Sequence, residues 1–295
     1  MTAITANGMT IEYEDDGDPA APPLLLVMGL GAQLTLWPIE LVDALVARGF
    51  RVIRFDNRDI GLSTKFDRAG LPDLAQLVMA MMTGKVFAPP YTLSDMAADA
   101  VGLLDALRIP SAHVVGASMG GMIAQLIAAD YPTRVRSLTS IMSTSGNPSL
   151  PPAKPEALAV LTGRPMTADR DTIVAHGIKS AQVIGSPAYP YDLDRLRARV
   201  ERDFDRSFSP TGAMRQMAAV LADGDRRERL RRITAPTTVI HGDADPLVPV
   251  EGGRDTAAAI PGADLVILPG MGHDLPLPLI DDIADAIAAT AARAR

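Results

Sequence analysis
The surroundings of Ser118 are the first to suggest chemistry, because it sits in Gly116-Ala117-Ser118-Met119-Gly120, a Gly-x-Ser-x-Gly spacing. A serine hydroxyl is a weak nucleophile. It needs a base within hydrogen-bond reach and an acid that orients the base. The chain holds four histidines, namely His113, His176, His241 and His273. His113 opens the run before Ser118, His176 falls in a strand-free stretch, and His241 ends a strand-like run just before a glycine. His273 is glycine-flanked in Leu268-Pro269-Gly270-Met271-Gly272-His273-Asp274, a loop after the last strand-like run and downstream of any candidate acid. The loop after the preceding strand-like run, His241-Gly242-Asp243-Ala244-Asp245-Pro246-Leu247-Val248-Pro249, offers two acids, Asp243 and Asp245. Serine, acid, histidine is a chain order that such constellations use. The chemistry would be acyl transfer through a covalent intermediate. The bland alternatives are a glycine-rich turn with an incidental serine, a surface histidine, and an acid that only caps the turn before Pro246.

Positioning these groups demands a strand, a sharp turn and a helix around Ser118. Val114 and Val115 supply a short buried strand, and Met122, Ile123, Leu126 and Ile127 recur at helical spacing after it. Glycines on either side of the serine let two backbones close around it. The turn also aims the Met119 N–H, at the positive end of the new helix, at whatever the serine attacks. Upstream, Asn7-Gly8 between alternating runs predicts a hairpin over 3–16. Leu24 to Met28 reads as a strand buried on both faces, ending in Gly29-Leu30-Gly31. A helix over 38–49, a strand from Phe50 to Asp56, a Met-rich helix near 73–83, and a helix from Thr92 to Leu107 capped by Thr92 follow. Strands are predicted again at Val135–Met142, Pro236–Gly242 and Asp264–Leu268, with helices at Gly252–Ala259 and Leu279–Ala292. Strand and helix alternate from 24 to 142, the pattern of a parallel sheet wound by helices. From Ser145 to about Arg232 prolines and charged helical segments replace strands. That stretch reads as an inserted helical cap over the sheet's C-terminal edge, 145–232, on a core of 1–144 and 233–295.

At 295 residues the chain can bury a large core, and 47% hydrophobic against 21% charged residues is a globular balance. A net charge of −7 argues against nucleic acid or an anionic membrane as partner. The interleaved charges from Arg195 to Arg206 read as a solvated helix face. With no cysteine, a disulfide framework, a thiolate metal site and a cysteine nucleophile are excluded. Residues 1–18 lack the apolar stretch of a signal peptide, and no run is long enough to span a bilayer. The expectation is a cytoplasmic protein without stable membrane association; acyl transfer by serine, histidine and acid needs no metal or cofactor. A homodimer is left open.

These residues resemble those of the α/β-hydrolase-fold serine hydrolases. Val27-Met28-Gly29-Leu30-Gly31, Trp37-Pro38, Val52 to Asp59 and Ile267 to His273 look most like bacterial carboxylesterases of the aclacinomycin methylesterase type. The resemblance covers roughly 8–142 and 233–292. It implies a mostly parallel central sheet with helices on both faces and an inserted helical cap, and a carboxylic ester hydrolase with a small-molecule ester as substrate. It implies Ser118 as nucleophile, His273 as base and then acid, and Asp245 as the orienting acid, with Asp243 the fallback. The oxyanion donors would be the backbone N–H groups of Met119 and, by the resemblance, Leu30. Many relatives carry His-Gly where this chain has Met28-Gly29, so hydrogen bonds that a histidine would give this loop are missing. Arg54 to Ser63 resembles the family's Asp-x-Arg-Gly-x-Gly-x-Ser loop, with Asp59 at a usual glycine; it reads as a structural Asp/Arg network, with a substrate role for Arg58 less favoured. Few aromatics and abundant Leu and Met suggest an apolar pocket lined by Leu30, Met79, Met82, Met119 and cap residues, with Gly29 beside them, suited to apolar acyl or bulky ester groups. Lactonase, C–C bond hydrolase and perhydrolase chemistry can use the same triad. A non-catalytic ligand-binding protein and a membrane-surface lipase are further alternatives.

Overall fold
The structure is a computed structural model and describes residues 2–73, 79, 83, 88–163, 165, 167 and 169–294. Its centre is an eight-stranded sheet in the order β1-β2-β4-β3-β5-β6-β7-β8. The strands are β1 (Thr2–Ala6), β2 (Met9–Asp16), β3 (Pro23–Val27), β4 (Arg51–Phe55), β5 (Ala112–Ala117), β6 (Val135–Ile141), β7 (Thr237–Gly242) and β8 (Asp264–Leu268). Asn7-Gly8 turns β1 back on β2 as an antiparallel pair, and both residues have positive φ, 47° and 75°. β2 meets β4 antiparallel, and every later pairing is parallel.

Parallel strands buried on both faces sort their side chains by alternation. Leu25 and Val27 face one core with α2 (Leu93–Ala106) and α3 (Met119–Asp130), while Leu24 and Leu26 face the other with α1 (Ile39–Ala47) and α9 (Ile280–Ala292). Thr92 caps α2 in a reciprocal box with Asp95, as its position before the apolar run predicts. The chain runs from β3 outward to β4, then crosses back to place β5 on the other side of β3. The strand order reverses between β3 and β5, and in open sheets ligands bind beyond the C-terminal ends of the strands at such a point. Val27 pairs with Gly116 in that register, so the Gly29 loop and Ser118 leave the sheet side by side.

Between β6 and β7 lie α4 (Pro155–Thr162), α5 (Arg170–Ile184), α6 (Leu193–Arg206), α7 (Pro210–Asp223) and α8 (Arg227–Leu230), and the described residues there contain no strand. This insert is tied to the core by buried charge. Arg206 pairs with Asp56 at 2.7 Å, and Arg215 pairs with Asp59 at 2.7 and 2.8 Å. The run from Arg195 to Arg206 is therefore not wholly the solvated face its sequence suggests. Arg195 is exposed, but Arg206 is turned inward and Asp203 takes a hydrogen bond from Thr35. Most of the expected helix near 73–83 lies outside the described residues.

Candidate active site
Ser118 stands between β5 and α3 with φ 55° and ψ −121°, a conformation an L-residue adopts only when its surroundings enforce it. Here they do. A Cβ on Gly116 would lie 2.1 Å from the Gly120 carbonyl oxygen, and one on Gly120 would lie 1.9 Å from that of Val27. The glycines thus permit β3, β5 and the first turn of α3 to meet at one point. The Ser118 N–H donates to the Ile141 carbonyl at 2.9 Å, and the Ser143 hydroxyl donates to the Ser118 carbonyl at 2.8 Å. The serine is half-buried, so its hydroxyl remains approachable.

His273 arrives on the loop after β8, with its Nε2 2.9 Å from Ser118 Oγ and its Nδ1 2.7 Å from Asp245 Oδ2. A carboxylate can only accept, so Nδ1 carries the proton and Nε2 accepts from the serine hydroxyl. Asp245 lies on the loop after β7, where its other oxygen accepts the Leu247 and Val248 N–H groups at 2.8 Å each. Burial alone would raise this carboxyl. The attraction of the His273 imidazole, the neighbouring His241 ring, the hydrogen bond from His273 and the Val248 amide outweigh burial and hold it well below the usual carboxylate range. Asp243 points elsewhere, accepting the Gly270 N–H at 2.6 Å and so stitching the acid loop to the histidine loop. Of the two acids, Asp245 is the one that reaches the imidazole.

The remaining histidines take other positions. His113 is buried within β5, sharing a hydrogen bond with Ser137 at 2.8 Å and meeting the Phe50 ring edge-on. His241 packs beneath Asp245, its Nε2 donating to the Val248 carbonyl at 2.8 Å. His176 lies in α5, away from the serine loop in sequence and in element.

Gly29 passes directly against the serine, for a Cβ there would be 3.1 Å from Ser118 Cβ. Among the described residues, the N–H groups of Leu30 and Met119 have no hydrogen-bond partner. The loop's missing histidine is offset by Asn57, whose Nδ2 donates to the Met28 carbonyl at 2.9 Å. Asp59 has φ 73°, which explains why glycine suits that position. Its carboxylate accepts from Arg215, the Phe66 N–H and the Tyr91 hydroxyl, interactions that outweigh burial and lower its pKa. Arg58 is held by Asp99 at 2.5 and 2.7 Å and lies over the Phe66 and Tyr91 rings, so it is a structural cation. Met79 is 58% exposed, and Met82 lies outside the described residues. Among the described residues no cluster of three or more His, Asp or Glu side chains could hold a metal.

A mostly parallel sheet with a serine on a strained strand-to-helix turn, and a histidine and an acid on the loops after its last strands, defines a class. The chain belongs to the alpha/beta hydrolase fold family, whose model matches residues 22–278. It is 32% identical to rhodomycin D methylesterase DnrP of Streptomyces peucetius, over 97% of this chain and 96% of that one. It is 30% identical to rhodomycin D methylesterase DauP of Streptomyces sp. (strain C5), with the same coverage of each. The esterase EaEST of Exiguobacterium antarcticum superposes with a TM-score of 0.74 at 22% identity, covering 99% of both chains, a likeness of fold.

Proposed function
We propose that the protein is a carboxylic ester hydrolase in which Ser118, His273 and Asp245 act as a catalytic triad. What carries this reading is the unbroken hydrogen-bonded line from Asp245 through His273 to the serine hydroxyl on its strained turn. Ser118 Oγ attacks the ester carbonyl carbon as His273 Nε2 takes its proton. Asp245 keeps the imidazole in the required tautomer and stabilises the imidazolium. The carbonyl oxygen becomes an oxyanion held by the Leu30 and Met119 amides. His273 then returns the proton to the departing alkoxide, and the alcohol leaves. Water, deprotonated by the same histidine, attacks the acyl-serine and releases the acid.

The two methylesterase relatives favour methyl esters of bulky acids as the substrate class. Residues 145–232 serve in this reading as a cap on a core of 1–144 and 233–295, closing over the ester. A cytoplasmic location fits an acidic, cysteine-free chain; no helix among the described residues is long and apolar enough to cross a membrane. The test is turnover of methyl and p-nitrophenyl esters of increasing acyl bulk, beside a lactone, a carbamate and a vinylogous diketone. Ester cleavage should dominate and vanish in Ser118→Ala. Preferred cleavage of the lactone or the diketone's C–C bond would overturn the substrate class.

A further inference from the structure
We infer that Gln216, on an insert helix, is a positioning residue that sets the oxyanion loop; this rests on the triad reading above. Gln216 lies in the middle of α7 and is fully buried. Its Oε1 accepts the Gly31 N–H at 2.8 Å, and its Nε2 donates to the Arg58 carbonyl at 2.9 Å. One carboxamide therefore joins the loop after β3 to the loop after β4. Both of its ends are used, which fixes the amide's orientation: turning it over would set two donors face to face and two acceptors face to face.

The consequence reaches the chemistry through the next peptide. Gly31 stands at φ 65°, where the backbone bends sharply, and its N–H belongs to the peptide that follows Leu30. Holding that N–H fixes the plane after Leu30 and leaves the Leu30 N–H as the loop's donor for an oxyanion. The helix that carries Gln216 is itself anchored. Arg215 grips Asp59, and Gly212 packs so close that a Cβ there would lie 2.3 Å from the Asp59 carbonyl oxygen. Asn57 fixes the peptide at Met28 on the loop's other side. The loop that lacks the familiar histidine is thus clamped from both flanks, once from the core and once from the insert. A neutral carboxamide suits the place, because it supplies an acceptor to Gly31 without setting a full negative charge beside the developing oxyanion.

The test uses Gln216→Met, which keeps the length of the side chain and removes both hydrogen bonds. Turnover per serine titrated with a fluorophosphonate should fall by about 10–100-fold while KM stays nearly constant. Inhibition by a trifluoromethyl ketone, which forms an oxyanion on the serine, should weaken in parallel. Inhibition by the matching amide, which binds without forming one, should not change. If the methionine protein yields no titratable serine, Gln216→Glu, of the same size, is read by the same ketone-to-amide ratio, which must shift by about tenfold or more. An unchanged ratio, or kcat within the error of wild type, overturns the inference. Failure of the triad reading would differ, since wild-type protein would then turn over no ester and bind no trifluoromethyl ketone covalently.

Discussion

At the scale of single residues, the acid is the sharpest point. Asp243 and Asp245 are two apart on one loop, and only Asp245 reaches His273. Asp245→Asn should lower kcat by about 10³–10⁴-fold with the fold intact, because an amide cannot enforce the Nδ1–H tautomer. Asp243→Asn keeps an oxygen for the Gly270 N–H and should leave turnover near wild type. Steady-state kinetics on both variants, with circular dichroism to check folding, decides the assignment. His113 allows a prediction about pH. Burial first, and the nearby charge of Arg136 second, push its pKa down to about 4 from the usual 6.5. Between those values the unfolded chain takes up a proton that the folded chain refuses, so stability falls as pH drops from about 6.5 to 4. Thermal melting across that window should show the fall, and a shallower one in His113→Gln.

The strand–turn–helix around Ser118 is the element on which the site is built. Gly120→Ala would drive a methyl group into the Val27 carbonyl at 1.9 Å, separating β3 from α3. The cost is about 1–3 kcal/mol of overpacking, together with loss of the serine's alignment. A lowered melting temperature with turnover down by more than the folded fraction explains would show both effects. This element was readable from sequence because everything that defines it is local: two valines, three glycines and a helical apolar period within sixteen residues. The same holds for the Asn7-Gly8 hairpin and for the Thr92 cap. The Asp243/Asp245 choice was not settled by spacing, since either acid could reach from a flexible loop, and the family pattern alone pointed to Asp245. Nor was the apolar pocket, for which composition named Met79, a residue that proves largely exposed.

Across the whole molecule, the contacts least visible in the sequence are those between insert and core. Arg206 with Asp56 and Arg215 with Asp59 join residues some 150 positions apart, and Gln216 reaches Gly31 across 185. Nothing in a charged helical stretch marks which of its side chains will turn inward. These buried contacts tie the helices between β6 and β7 to the loops after β3 and β4. Removing one partner leaves an uncompensated charge, so Arg215→Met should destabilise the protein by about 3–5 kcal/mol, read as a lower midpoint in urea. Arg195→Met, whose charge is exposed on both sides of its pair with Glu40, should move that midpoint little. The catalytic role of the serine is tested most directly by intact mass after reaction with a fluorophosphonate, followed by peptide mapping. One phosphonyl group on the peptide containing Ser118, absent in Ser118→Ala and strongly slowed in His273→Ala, is the expected result. An unmodified wild-type protein, or an adduct on another residue, would contradict it.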